Sequence, residues 1–149
     1  MNLEIPHSLK REHEELHSAV VHATNERGAI GEAARRVARL LQPHFAKEEN
    51  YVLPAVGALA KVARGMIDSE MQEIVALGEH LHMDLENMLA EHRMIAAAVE
   101  EMMTAARHED KVEYAELGIR LITHAQTEEQ LTYPAVIVLA NYLKIRLGL

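Results

Sequence analysis

Cysteine is absent from this chain, which excludes disulfides, thiolate metal sites, iron–sulfur clusters and thiol catalysis. Nothing points to the oxidising compartment that disulfides would imply. Tryptophan is absent too, phenylalanine occurs once, and aromatic residues make up 3% of the sequence. No apolar run approaches the roughly 20 residues needed to cross a bilayer. The first residues, MNLEIPHSLKREHEEL, are charged too early for a secretory signal, so the expected localisation is cytoplasmic. Positive charge is scarce: 15 Lys and Arg against 23 Asp and Glu give a net charge of −8, with no basic stripe. Neither nucleic acid nor an anionic membrane is therefore expected as a partner.

What is present is a chain of 149 residues, 49% hydrophobic and 26% charged. That is one domain, residues 1–149, long enough to bury a core. Histidine is the oddity, with ten copies. The apolar spacing is helical almost throughout, and no stretch alternates as a strand does. A first helix is expected to open near Pro6 to Ser8, where a proline suits the first turn, and to run to about Arg27. Gly28 and Gly31 mark a break. A second helix is expected from about Glu32 toward Val52, kinked at Pro43 and ended or bent at Pro54, with a short helix over Ala55 to Arg64 and a stop at Gly65. A long third helix, about Ile67 to Arg107, is expected to be disturbed at Gly78. After a turn at His108 to Asp110, a fourth covers about Val112 to Leu131, and Pro134 separates it from a last apolar helix ending near Arg146. Four main helices with short connections predict an all-α, antiparallel up-down four-helix bundle plus a short C-terminal helix.

The chain also repeats itself. HFAKEENYVLPAV (His44 to Val56) and HAQTEEQLTYPAV (His124 to Val136) match at six of thirteen positions with an offset of 80 residues. EHEELHSAV (Glu12 to Val20) and EHRMIAAAV (Glu91 to Val99) match at four of nine with an offset of 79. The simplest reading is a duplicated helical hairpin, each half supplying one histidine from its first helix and a His-x-x-x-Glu from its second.

Residues four apart share a helix face. His44 and Glu48 therefore point the same way, beside Val37, Leu40, Leu41 and Tyr51; so do His124 and Glu128, beside Leu117, Leu121 and Leu131. His92 lies among Leu85, Met88, Leu89, Ile95 and Val99, and His13 among Leu9, Leu16 and Val20. Six polar side chains directed into one core cost several kcal/mol unless paired, and metal coordination satisfies all of them together. Imidazole and carboxylate without thiolate suit iron, manganese or zinc, and two carboxylates in a twofold arrangement favour two metals bridged by them.

His13, His44-x-x-x-Glu48, His92 and His124-x-x-x-Glu128 together resemble the hemerythrin-like (HHE cation-binding) family, over nearly the whole chain from about Ile5 to Tyr142. The resemblance implies a non-haem di-iron centre, two iron ions joined by an oxo or hydroxo bridge, with Glu48 and Glu128 spanning them and the histidines outside. It implies handling of peroxide, nitric oxide or dioxygen, with catalase- or peroxidase-like or nitric-oxide-processing turnover and an external reductase for sustained reduction. The alternatives are a dioxygen or nitric oxide sensor or carrier, and iron buffering without turnover. Oxygen-carrying members have two histidines four apart on the third helix, whereas here the positions four either side of His92 are Met88 and Ala96. The site is thus one imidazole short of the set that the oxygen carriers have.

Two residues break the repeat's symmetry. Tyr51 stands where the second half has Leu131, either as a phenolate ligand or as a core tyrosine bonded to metal-bound water. His17 stands where the second half has Ala96, as ligand, proton shuttle or surface histidine, with a supporting position beside the ligands preferred. Two rival motifs occur. His13-Glu14-Glu15-Leu16-His17 spells the H-E-x-x-H of zinc hydrolases, with Glu14 as general base, but it leaves the repeat unexplained and no strand is present to hold a substrate. Glu14/His17 and Glu79/His82 have the Glu-x-x-His spacing of ferritin-like sites without matching partner glutamates. His7, His22, His80, His82 and His108 face away from the ligand stripes or lie at the chain start, and the eight methionines follow the core pattern. The apolar C-terminal AVIVLANYLKIRLGL is expected to cover the bundle end, or alternatively to form an oligomer interface.

Overall fold

In a computed structural model, residues 2–149 are described, and they are helical without a strand. Seven α-helices follow one another: α1 (His7–Ala23), α2 (Gly28–Lys47), α3 (Leu53–Val56), α4 (Leu59–Ala63), α5 (Gln72–His108), α6 (Val112–Thr127) and α7 (Tyr133–Leu147). Two short π-helical turns, Glu48–Val52 and Glu128–Thr132, join α2 to α3 and α6 to α7. The long helices α1, α2, α5 and α6 pack into a four-helix bundle, with α1 against α2 and α6, and α5 against α2 and α6.

Several boundaries differ from the sequence expectation for local reasons. Helix α1 stops at Ala23, because the next N–H groups turn back to nearer carbonyls: Asn25 donates to His22 and Glu26 to Ala23. Gly28 opens α2 rather than breaking the chain. Its φ of 73° is a conformation that glycine adopts without a steric penalty, and it sets the direction in which α2 leaves the turn. Helix α2 continues past Pro43. The short helix expected over Ala55 to Arg64 is two pieces, α3 and α4. The long helix is preceded by a 3₁₀ turn, Ser69–Met71, whose first N–H groups are met by the Asp68 side chain accepting from the Glu70 N–H at 3.0 Å.

Helix α5 also passes Gly78 unbroken. The glycine is there for contact: a Cβ at this position would lie 2.2 Å from the Ala140 Cβ and 3.1 Å from the Val136 carbonyl oxygen. Helix α7 therefore lies flush against the first half of α5, burying Val136, Leu139, Ala140 and Leu143. Each full burial of a side chain of this size is worth about 1.5–3 kcal/mol. Val138, Tyr142 and Ile145 remain on the outer face of α7.

The core is two apolar clusters. One holds Leu16, Val37, Leu41, Phe45, Val99, Met102 and Leu117; the other holds Val52, Leu53, Ile74, Leu81, Met88, Tyr133 and Val136. Along α1 and α5 the change from one to the other falls at His13 and His92; α2 and α6 belong to the first cluster and carry His44 and His124 near their C-terminal ends, with the second cluster resuming beyond them at Tyr51 and Tyr133. The site is the layer between the clusters.

Candidate metal centre

Six side chains meet in that layer. Their ligand atoms form two overlapping groups, His13–Glu48–His124–Glu128 and His44–Glu48–His92–Glu128, each with its atoms within 4.8 Å of one another. Both glutamates belong to both groups. The Nε2 atoms face inward: His44 Nε2 is 3.5 Å and His13 Nε2 is 3.7 Å from Glu48 Oε1, while His124 Nε2 is 3.3 Å and His92 Nε2 is 3.4 Å from Glu128 Oε1. Phe45 stacks on the His13 ring at 3.9 Å between centroids and fixes its plane.

Each glutamate begins a π turn. The Leu53 N–H donates to the Glu48 carbonyl, and the Tyr133 N–H donates to the Glu128 carbonyl, five residues back in each case. The cause lies one residue further on. Pro54 and Pro134 have no N–H to donate and clash with a carbonyl four residues earlier in a regular helix. Widening one turn relieves both problems, and each proline then sits in the first turn of the next helix, where it is tolerated. In an α-helix, residue i+5 lies about 140° round from residue i; in a π turn the two are joined by a hydrogen bond across one turn. Tyr133 is thereby brought to the site face above Glu128. Leu131, expected beside His124, is turned out to 66% exposure.

A second layer of carboxylates surrounds the histidines. Glu49 Oε1 is 3.4 Å from His13 Nδ1, and Glu129 Oε1 is 2.9 Å from His92 Nδ1. Glu12 pairs with His124 Nδ1, and Glu91 Oε1 lies 3.6 Å from His44 Nδ1. The pairs close a ring: α1 serves the histidine of α6, the turn after α6 serves that of α5, α5 serves that of α2, and the turn after α2 serves that of α1. An outer carboxylate fixes the ring orientation and tautomer and makes the inner nitrogen a better donor.

The inner charges oppose one another. Burial and the neighbouring Glu128 raise Glu48 well above the ordinary carboxylate range. Burial pushes Glu128 upward as well, but the approach of Glu48, His124 and His92 to its oxygens outweighs burial and holds this carboxyl low. Two carboxylates enclosed together oppose each other's ionisation, and of the pair Glu48 is the one pushed up. Burial, then His92, pushes His44 down to about 4; burial, then His124, lowers His13. Burial also lowers His92 and His124, but Glu128 with Glu129, and Glu128 with Glu12, raise both overall. His13 Nε2, His124 Nε2, Glu48 Oε1 and both Glu128 oxygens are buried without a hydrogen-bond partner. Orphaned polar atoms of this kind cost about 1–3 kcal/mol each. Imidazole nitrogens and carboxylate oxygens directed at common points are a metal-binding donor set, and these buried groups could hold a metal ion.

Other candidates lie elsewhere. The Tyr51 hydroxyl donates to Asp84 Oδ2 at 2.5 Å and reaches Met88 Sδ at 3.3 Å, and burial beside Asp84 raises its pKa. Lys47 extends this outer network, contacting Glu91 at 2.7 Å and Asp84 at 3.5 Å. His17 is exposed and belongs to neither group, as are Glu14, Glu79 and His82. The residue that spacing misses is Tyr133. It is fully buried, and its hydroxyl donates to Glu48 Oε2 at 2.9 Å and lies 3.3 Å from His44 Nε2 and 3.2 Å from His92 Nε2. The available signal was the proline after it.

Two cavities adjoin the cluster. One of about 570 Å³ runs from the surface past Arg11, Arg120 and Thr127 to His13, His124 and Glu128, with Leu53 in its wall. The other, of about 150 Å³, lies beside His92 and is lined by Ile95, Ala96, Val99, Leu121, Ile122 and Ala125. No helix among the described residues is long and apolar enough to cross a membrane. Compared with known proteins, the chain matches no family model, no curated protein and no solved structure.

Proposed function

We propose that the protein is a hemerythrin-like di-iron protein that handles peroxide, nitric oxide or dioxygen. The observation that carries this reading is the sharing of Glu48 and Glu128 by two groups that differ only in their histidines. One such group would serve one metal; two with common carboxylates suit a bridged pair. His13 and His124 would hold one iron, His44 and His92 the other, and the glutamates would span them. Bound iron supplies electron exchange with a small oxygen- or nitrogen-containing molecule.

The protein's own part is positioning and exclusion. The outer carboxylates aim the Nε2 atoms inward, and apolar clusters on either side keep bulk water from the layer. The small apolar cavity beside His92, with Ala96 in its wall, has room for a diatomic molecule. The larger one gives a wider route from solvent. Sustained turnover would draw electrons from an external reductase. The H-E-x-x-H zinc reading requires His17 beside His13 on one ion, and His17 belongs to neither group.

We also read the bundle as antiparallel and built from a duplicated hairpin. The short links between α1 and α2 and between α5 and α6 favour antiparallel neighbours. Both glutamates open a π turn at positions 48 and 128, the same offset of 80 that the sequence repeat has.

Metal analysis of protein loaded with ferrous iron, followed by steady-state peroxide assay, tests this. Two irons per chain with peroxide turnover are expected. His124→Ala should lose metal together with the thermal stabilisation that metal gives, and His17→Ala should keep both. Iron without turnover, but with a reversible optical change under dioxygen or nitric oxide, would mean a carrier or sensor. A single zinc that resists replacement by iron would overturn the proposal.

A further inference from the structure

We propose that Tyr133 is itself a ligand, completing the metal position formed by His44, His92, Glu48 and Glu128, and that the His13–His124 position is the one left for an incoming molecule. This rests on the di-metal reading above.

The polar contacts of the Tyr133 hydroxyl are to that one group: Glu48 Oε2, His44 Nε2 and His92 Nε2, at 2.9, 3.3 and 3.2 Å. A buried hydroxyl surrounded by the ligand atoms of one candidate position is a fifth donor to it. On ligation the metal takes the place of the hydroxyl proton, which leaves to solvent, and the phenolate adds a negative charge to the two carboxylates. The other position is different. His13 Nε2 and His124 Nε2 have no partner. In the repeat alignment the residue matching Tyr133 is Leu53, which follows its own π turn in the same way but has no donor atom. Leu53 lines the cavity that reaches His13, His124 and Glu128 from the surface. The same backbone device thus presents an oxygen to one position and a methyl group to the other. Tyr51 does not compete for the role, since its hydroxyl is engaged by Asp84 and Met88.

The test is optical, on iron-loaded, air-oxidised protein of known metal content. A visible phenolate-to-iron charge-transfer band is expected, with tyrosine ring modes enhanced in resonance Raman. Tyr133→Phe should abolish the band and keep the iron, and Tyr51→Phe should keep both. If Tyr133→Phe does not fold, ring-deuterated tyrosine in the Tyr51→Phe protein should still shift the enhanced modes. Azide, used as a small anionic probe, should bind without removing the band, and Leu53→Trp should weaken its binding by about tenfold or more. Full iron content without a phenolate band, a band that survives Tyr133→Phe, or azide that displaces the band would overturn the inference. Failure of the wild type to take up iron would instead overturn the di-metal reading beneath it.

Discussion

The Glu129 carboxylate lies 2.9 Å from His92 Nδ1, while its chain neighbour, the inner Glu128, faces the Nε2 side of the same imidazole. One imidazole is thus gripped at both nitrogens by adjacent residues of one π turn. Glu48 and Glu49 divide the same roles for His13, at 3.7 and 3.4 Å. Removing an outer carboxylate should therefore weaken metal binding without deleting a ligand. Glu129→Ala is expected to lower affinity about 10- to 100-fold, measured by competition with a chelator. Glu129→Gln should recover part of the loss, because an amide oxygen still accepts from Nδ1–H.

Burial beside Glu128 raises Glu48 well above the ordinary carboxylate range and so favours its neutral form, of which glutamine is the nearest mimic. Glu48→Gln should leave the metal-free protein within about 1 kcal/mol of its normal stability while metal occupancy falls sharply. Thermal unfolding in chelator and metal analysis of the same preparation check both halves. A large loss of stability in the metal-free protein would mean that Glu48 is ionised there.

The contact between Gly78 and Ala140 leaves no room for a methyl group. Gly78→Ala should destabilise the protein by about 1–3 kcal/mol, despite the better helix propensity of alanine, by forcing α7 off α5. Adding Ala140→Gly should restore much of the loss, and a double-mutant cycle in denaturant measures the coupling.

Glu26 ties α1's end to the start of α6, accepting from Lys111 Nζ at 2.6 Å and from the Tyr114 hydroxyl at 2.7 Å. These two hydrogen bonds lower its pKa from the usual 4.5. A carboxyl whose pKa falls on folding stabilises the fold above its unfolded pKa, and that contribution is lost as pH falls through the folded value. Glu26→Gln should therefore lower Tm at neutral pH, and the gap between variant and wild type should close below about pH 4.5. Melting curves of the two metal-free proteins across the acid range check it.

The helices were legible because the apolar period is sustained over many turns and because Pro6, Gly28, Gly65 and Gly148 stand at or beside helix ends, although Pro43 and Gly78 lie within helices. The inner side chains were legible for the same reason: His44 with Glu48 and His124 with Glu128 each need only one regular turn. Counting at 100° per residue fails beyond the glutamates. Each π turn adds a residue that the period does not anticipate, so Leu131 was expected inside and is outside, while Tyr133 was not considered and lies among the ligands. Gly78 was misread because a glycine within a helix looks the same in sequence whether it loosens the helix or admits a neighbour. The outer ring was written in the Glu-His and Glu-Glu pairs of the repeat. Adjacent residues point about 100° apart on a helix, and nothing in one helix shows that the second member reaches a side chain of the next.

The division of the apolar core by a polar layer has a mechanical consequence. At the level of His13, His44, His92 and His124 the four helices are held to one another chiefly by charge and hydrogen bonds, while apolar packing grips them above and below. The molecule has a waist. Without metal, that waist contains the orphaned atoms and the opposed carboxylates, and it is where the two ends of the bundle can loosen independently. An ion that draws all four helices to common points would act as a rivet, turning two loosely joined ends into one cooperative body.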